Sequence, residues 1–312
     1  MTDLQDRPLP GRPSGPAPTG GPASSTSPGP DTRRRRSGAG RVRPGTAASY
    51  LVLALGCLVV VVPFLWEALT TTKTFGESIH VPPVIIPAHW VWKNYSDVFT
   101  SVPFGRQFLN TVIVALARTA GQLVICSAAG YAFARLNFPF KRTLFTTFLA
   151  VLMVPSQLFI IPQYQIMIHL HWLNSLQALI VPGLFSAFGT FLLRQFFMTL
   201  PKELDEAAEI DGCNPFQRYL HVALPLAKPG LLALGVLTLL NSWNDLLWPL
   251  IVNTDPQKMT LAAGLASLQG QYVTNYPVLM AGTLMASLPV VVVFAVMQKH
   301  FIQGIAASGV KG

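Results

Sequence analysis

The chain has 312 residues, 51% of them hydrophobic and only 11% charged, and its mean hydropathy is +0.45. A soluble domain carries about 25% charged residues, so there is too little polar surface here to cover one, and the chain reads as an integral membrane protein. The net charge of +9 does not point to nucleic acid. Eight of the 22 basic residues lie before Gly45, including Arg33-Arg34-Arg35-Arg36, and a basic arm ahead of a first span is what the positive-inside rule demands. Its expected contact is anionic lipid.

Residues 1–46 hold nine of the 26 prolines and almost no large apolar side chains. They cannot offset the entropy of ordering and are expected to be a disordered tail. The apolar stretch that follows, Tyr50 to Leu69, is too long for the core of a cleaved leader and is taken as a retained span. Further apolar segments at 108–132, 143–163, 175–197, 230–252 and 278–298 bring the total to six. Pro63, Pro155, Pro182 and Pro289 fall within or beside them, which predicts kinked helices around a pathway. With the tail inside, the inner segments hold 17 Lys and Arg and the outer ones hold four, which places both termini in the cytoplasm. The expected fold is an all-α integral membrane protein, a six-span helix bundle over 47–312.

The outer segment from 70 to 107 carries Val81-Pro82-Pro83, Trp90, Trp92 and Tyr95. It reads as an extended stretch and a short interfacial helix, with its aromatics as headgroup anchors. Cys57, Cys126 and Cys213 have no metal-like spacing and read as unpaired packing residues. His169-x-His171 lacks companion ligands and makes a poor metal site.

The most informative stretch lies at about 200–230, between the fourth and fifth spans. It holds five of the 13 acidic residues: Glu203, Asp205, Glu206, Glu209 and Asp211. Pro201 suits the start of a helix, and acids in its first turns complement the dipole. Gly212 suits a left-handed terminator. Asn214-Pro215 reads as a cap and first position of a second helix, which carries Phe216, Tyr219 and Leu220 and is expected to end before Pro225. Most connections need only about 4–6 residues. Two capped helices with an apolar stripe instead suggest a partner's groove.

Here the sequence resembles a known family. Glu206-Ala207-Ala208, Asp211-Gly212, Leu224-Pro225-Leu226 and Pro229 are similar to the EAA loop of ABC importer permeases, with Cys213 where alanine is usual and Tyr219 where phenylalanine is usual. From about residue 50 onward the chain resembles the maltose-type carbohydrate permeases. Pro63-Phe64-Leu65-Trp66, Asn94-Tyr95, Met153-Val154-Pro155-Ser156-Gln157, Trp243-Asn244-Asp245, Leu247-Trp248-Pro249-Leu250 and Gly309-Val310-Lys311-Gly312 carry that likeness. The resemblance implies a cytoplasmic coupling loop that docks on an ATP-hydrolysing ABC subunit, present in two copies. It also implies a second homologous permease, an external solute-binding protein and a sugar as cargo. On this reading the chain has no cofactor and no catalytic residue. ATP and Mg bind the partner subunit, in keeping with the absence of a G-x-x-x-x-G-K-[ST] phosphate loop from this sequence.

Within the fifth span, Asn241, Ser242, Asn244 and Asp245 cluster beside Trp243 and Trp248. A charge at membrane depth costs about 2.5–3.5 kcal/mol, so Asp245 needs a reason to be there. Either the cluster walls a translocation path, with aromatic faces against sugar rings, or it is an interhelical hydrogen-bond cluster. Arg118 in the second span lines a cavity, pairs with an acid such as Asp245, or contacts backbone carbonyls. Ala117-x-x-x-Gly121 and Ser127-Ala128-Ala129-Gly130 read as packing surfaces. The rivals are an ABC permease for a non-sugar solute, a secondary transporter, which needs internal repeats and interrupted helices with ion ligands, and a membrane-embedded enzyme, for which no signature is present.

Overall fold

The computed structural model describes residues 44–270 and 273–309, with side chains over 49–270 and 273–296. Residues 1–43 of the predicted tail and the closing Val310-Lys311-Gly312 lie outside the described residues. Among the described residues every regular element is helical. The chain divides into two units, Met1–Ala54 and Leu55–Gly312, and the contacts and cavities below belong to the second.

The first long helix, α1 (Pro44–Thr70), contains Pro63, and its apolar side chains from Leu55 to Leu65 are exposed all round. Such a surface requires lipid or another protein around it. Two short helices follow, α2 (Phe75–Ile79) and α3 (Lys93–Ser101). They tie down the end of α1: Asn94 Nδ2 donates to Thr71 O at 2.8 Å and Lys73 O at 2.9 Å, and Tyr95 Oη meets Thr71 Oγ1 at 2.9 Å. Trp90, Trp92 and Tyr95 stack in sequence. Tyr95 thus has a structural partner, whereas the sequence offered it only as a headgroup anchor.

The central element is α4 (Phe104–Arg135), 32 residues or about 48 Å long. After it come α5 (Lys141–Leu152), a 3₁₀ turn (Ser156–Phe159) and α6 (Ile160–His169). The predicted third span is therefore not one straight helix: its halves meet at 97°. Pro155 stands at the corner, where it can give no N–H and bars the residue before it from helical angles. The fourth span, Leu176–Thr199, has no such corner; it runs through α7 (Leu176–Ile180), a turn containing Pro182 (Val181–Gly183) and α8 (Ala187–Thr199). Both α7 and α8 begin on serine caps, Ser175 and Ser186, which accept from backbone N–H groups.

The segment after α8 forms α9 (Lys202–Ile210), α10 (Pro215–Arg218), a π turn (Tyr219–Ala223) and α11 (Leu224–Leu226). The helix expected to stop before Pro225 runs past it. In the π turn the Leu224 N–H reaches back five residues to Tyr219 O, and the widened register carries the helical path past a proline with no donor to offer. A bend of 78° then leads into α12 (Lys228–Trp243). The predicted fifth span breaks at Asn244–Leu246 before α13 (Leu247–Val252). The chain ends in α14 (Leu261–Ala266) and α15 (Tyr276–Gly309), the latter with Pro289 inside it. Among the described residues four helical stretches are long and apolar enough to cross a membrane, or up to six if each bent pair is one span.

Three clusters hold the bundle. Cys126, Tyr131, Leu193, Phe197, Tyr219 and Leu234 join α4, α8, α12 and the 200–227 segment. At the other end of α4, Val98, Phe104, Leu261, Leu265, Val278 and Ala281 form a second core. Met167, Ala178 and Val252 link α6, α7 and α13. Gly130 lets α4 lie against α8, where an added Cβ would stand 3.0 Å from the Arg194 backbone nitrogen. The small-residue run around it is a packing surface, as its spacing indicated.

Candidate functional site

The 200–227 segment is built by local rules. Gly212 has φ +83°, and around it the Gly212 N–H donates to Glu209 O and the Cys213 N–H to Ala208 O, which is the Schellman arrangement that ends a helix. Two residues later Asn214 caps α10 with Pro215 at the first position. The Asn214 side chain accepts from Gln217 N at 2.9 Å, and Gln217 Oε1 accepts in return from Asn214 N at 2.9 Å. This reciprocal box is legible as N-P-x-Q, and Gln217 is the part the sequence reading passed over.

The segment shows two different faces. Glu206, Ala207, Asp211, Gly212 and Pro225 are exposed and Ala208 is buried. Ile210 is 87% and Phe216 68% exposed, with Leu204 and Leu220 beside them in the exposed set. Side chains this apolar, standing free on a polar arm, mark an interaction surface. Tyr219, expected in that stripe, instead turns inward at 9% exposure, and its hydroxyl meets Ser127 Oγ at 2.7 Å. The phenol oxygen therefore has a partner that a phenylalanine would lack.

One stripe of α4 receives this segment and the end of α8 at steps of four residues: Ser127 bonds Tyr219, Tyr131 packs against both Tyr219 and Phe197, and Arg135 closes the row. The Arg135 side chain, 9% exposed, lies 3.2 Å from Asp205 Oδ2 of α9 and donates Nη2 to Phe197 O at 2.8 Å and to Leu200 O. A single guanidinium thus ties the end of α4 to the end of α8 and to the first helix of the arm. Nothing in the sequence singled it out, since its partner is 70 residues away. On the surface of the arm Arg218 also pairs with Glu209.

Further along α4 the same helix lines a cavity of about 510 Å³. Arg118 Nη1 donates to Asp245 Oδ2 at 2.8 Å, each side chain about one-fifth exposed. Of the three readings open for Arg118, the cavity and the acid partner both hold. Gln122 donates to Gly183 O at 2.8 Å and accepts from Thr238 Oγ1 at 2.9 Å. Ser186, Asn241 and Ser242 add to the polar lining, and Phe188 lines the same cavity. Ser242 Oγ is buried without a hydrogen-bond partner. Gly183 leaves room for this guanidinium: an added Cβ would lie 1.9 Å from Arg118 Nε, and the side chain would have to shift. The break after Trp243 is what lets Asp245 turn back toward α4.

The remaining predicted path residues lie elsewhere. Trp243 and Asn244 line a second cavity with Phe64, Glu67 and α15, and Trp243 Nε1 donates to Ala286 O at 3.2 Å. Consecutive residues at the end of a helix point in different directions, so adjacency in sequence did not mean a shared wall. Trp248 donates its indole N–H to Ala178 O at 2.9 Å and is a packing residue. Among the described residues no group of three or more His, Cys, Asp or Glu side chains is arranged to hold a metal.

At the far end, Gln107 and Asn110 of α4 donate to the carbonyls of Pro256, Gln257 and Met259, and Thr111 Oγ1 accepts from Leu261 N. Both ends of α4 are therefore pinned to neighbouring segments by polar bonds. A bundle of apolar helices around a polar, charge-paired cavity, with an exposed apolar arm at one end, is the build of a membrane permease.

Comparison with known proteins places it further. A family model for the binding-protein-dependent transport system inner membrane component matches residues 122–307, and the chain belongs to that family. The sn-glycerol-3-phosphate transport system permease protein UgpE of Pectobacterium atrosepticum is 35% identical over 268 residues, covering 83% of this chain and 95% of that one. The arabinooligosaccharides transport system permease protein AraQ of Halalkalibacterium halodurans is 37% identical over 227 residues, covering 72% and 81%. A chain from the crystal structure of a bacterial ABC transporter involved in the import of the acidic polysaccharide alginate has the same fold. Its TM-score is 0.72 at 20% identity, over 82% of this chain and 95% of that one.

Proposed function

We propose that this chain is the membrane-spanning subunit of a carbohydrate importer, driven by ATP that a separate subunit hydrolyses. The observation that carries the division of labour is the 200–227 arm. It presents Ile210 and Phe216 to a partner, matches the EAA pattern at Glu206-Ala207-Ala208 and Asp211-Gly212, and stands on a chain without a phosphate loop. Two ATPase copies, a second related permease and an external solute-binding protein complete the assembly, with ATP and Mg on the ATPase. Both termini and the arm are cytoplasmic, in keeping with the distribution of Lys and Arg. Arg118, Asn241 and Asp245 form part of the translocation wall, and residues 1–46 precede a transport domain over 47–312.

In this reading, closure of the ATPase subunits draws the arms together, and α4 carries the displacement to the Arg118 cavity. Carbohydrate as cargo is supported by the arabinooligosaccharide relative. The glycerol-phosphate relatives favour a second reading, a polyol phosphate moved by the same machinery. Uptake by cells carrying and lacking the chain separates these from an ion-coupled carrier. ATP depletion should abolish uptake, and an uncoupler applied at constant ATP should not. The double variant Asp211→Arg with Gly212→Pro should insert normally and transport nothing, since position 212 has a positive φ that proline cannot adopt. Normal uptake by that variant refutes the coupling role.

A further inference from the structure

Resting on the permease reading, we infer that the Arg118–Asp245 cavity is a subsite for an uncharged polyhydroxylated ligand and that its ion pair excludes anions. The two charges cancel at 2.8 Å, so the cavity attracts neither sign. An anion drawn to Arg118 has to approach Asp245 or pull the guanidinium away from it. The second course strands a carboxylate at membrane depth. A hydroxyl meets no such conflict, because it both donates and accepts. It can accept from the N–H groups of Arg118 not used on Asp245 and donate to Asp245 Oδ1 while the pair stays closed.

The rest of the lining fits the same chemistry. Asn241 presents an exposed amide, and Ser242 Oγ is buried in the wall with no partner. Phe188, 47% exposed, offers an apolar surface to the C–H face of a ring. The volume of about 510 Å³ lies within the roughly 300–1,000 Å³ usual for small-ligand sites. Gly183 leaves the space in which the guanidinium lies.

The test uses the intact transporter in cells deleted for this chain and complemented with it. Labelled probes are neutral trisaccharides of glucose and of arabinose, a trisaccharide of uronic acids, and sn-glycerol 3-phosphate. Wild type should restore ATP-dependent uptake of a neutral probe and of neither anion. Arg118→Gln and Asp245→Asn, each leaving one charge unpaired, should lower neutral uptake about tenfold. The double variant should recover to within about threefold of wild type. Asp245→Asn alone should also become inhibitable by the anionic probes, because Arg118 is then free.

Restored uptake of an anion by wild type overturns the inference and leaves the permease reading standing. A double variant no better than either single also overturns it, since the pair is then not the functional unit. If the deletion changes the uptake of no probe, the carbohydrate reading falls with it. The membrane abundance of each variant, measured alongside, separates failure to assemble from loss of recognition.

Discussion

Replacing Arg135 with methionine keeps an unbranched apolar stem while removing the charge and every donor. In the wild type this side chain is 9% exposed, faces Asp205 at 16% exposure, and donates to the last carbonyls of α8. Removing one partner of a buried pair costs about 3–5 kcal/mol. Asp205 lies near the end of the bundle and regains some water, so the lower figure, about 3 kcal/mol, applies to the docking of the arm on α4. That corresponds to roughly a hundredfold faster opening, read by hydrogen exchange across residues 202–226 in nanodiscs, with α4 itself unchanged. Changing Asp205 to leucine as well removes the stranded carboxylate and should recover most of the loss. In the assembled transporter, Arg135→Met should keep ATP hydrolysis and lower the solute moved per ATP. Exchange within threefold of wild type, together with an unchanged transport ratio, would refute the argument that Arg135 ties the arm to the bundle.

Three further outcomes are expected. Gly183→Ala places a methyl group against Arg118 and should cost about 1–3 kcal/mol as an overpacked site, read as a lowered thermal midpoint together with reduced uptake; wild-type values for both would show that the guanidinium relaxes freely. Tyr219→Phe removes the bond to Ser127 and should destabilise the arm by about 1 kcal/mol, while Ser127→Ala in the same background should add little more, as a double-mutant cycle would show. Glu77 accepts from the Thr74 backbone, the Ala88 backbone and the Thr74 hydroxyl, which together hold its carboxyl below the usual value of 4.5. Its folded pKa is depressed, so its contribution to the 74–88 loop is present above that value and is lost as pH falls through the folded one. Protection of the Ala88 amide, taken relative to its intrinsic exchange rate at each pH, should therefore fall on acidification below pH 4.5, and Glu77→Gln should flatten that profile; a flat profile in wild type would count against the bond.

What could be read from the sequence was what is encoded over short distances. The left-handed Gly212, the cap at Asn214 and the proline at 215 each depend on a few neighbouring residues, and so does the arm they shape. The apolar lengths likewise announced the spans. Pro155 announced a kink but not its size, because a bend of 97° depends on what the two halves pack against. The continuation through Pro225 needed a π turn, which no residue type signals. The pairs that organise the interior were legible only as possibilities. Arg118 and Asp245 are 127 residues apart, and a buried charge in a sequence states that a partner exists without saying which. Trp243 and Asn244 share a motif with Asp245, yet they line another cavity, because the break after Trp243 turns Asp245 back toward α4. Arg135 looked like one more basic residue at the end of a span.

Because α4 is fastened at Gln107–Thr111 and again at Ser127–Arg135, the loop at one end and the arm at the other are mechanically linked. Any ligand or protein that shifts the loop at 256–261 between two positions shifts the arm with it, to the extent that the helix moves as a unit. Thermodynamic reciprocity then makes the influence equal in both directions. A protein that gripped the arm more tightly in one position of that loop would therefore be gripped more tightly whenever something else held the loop there.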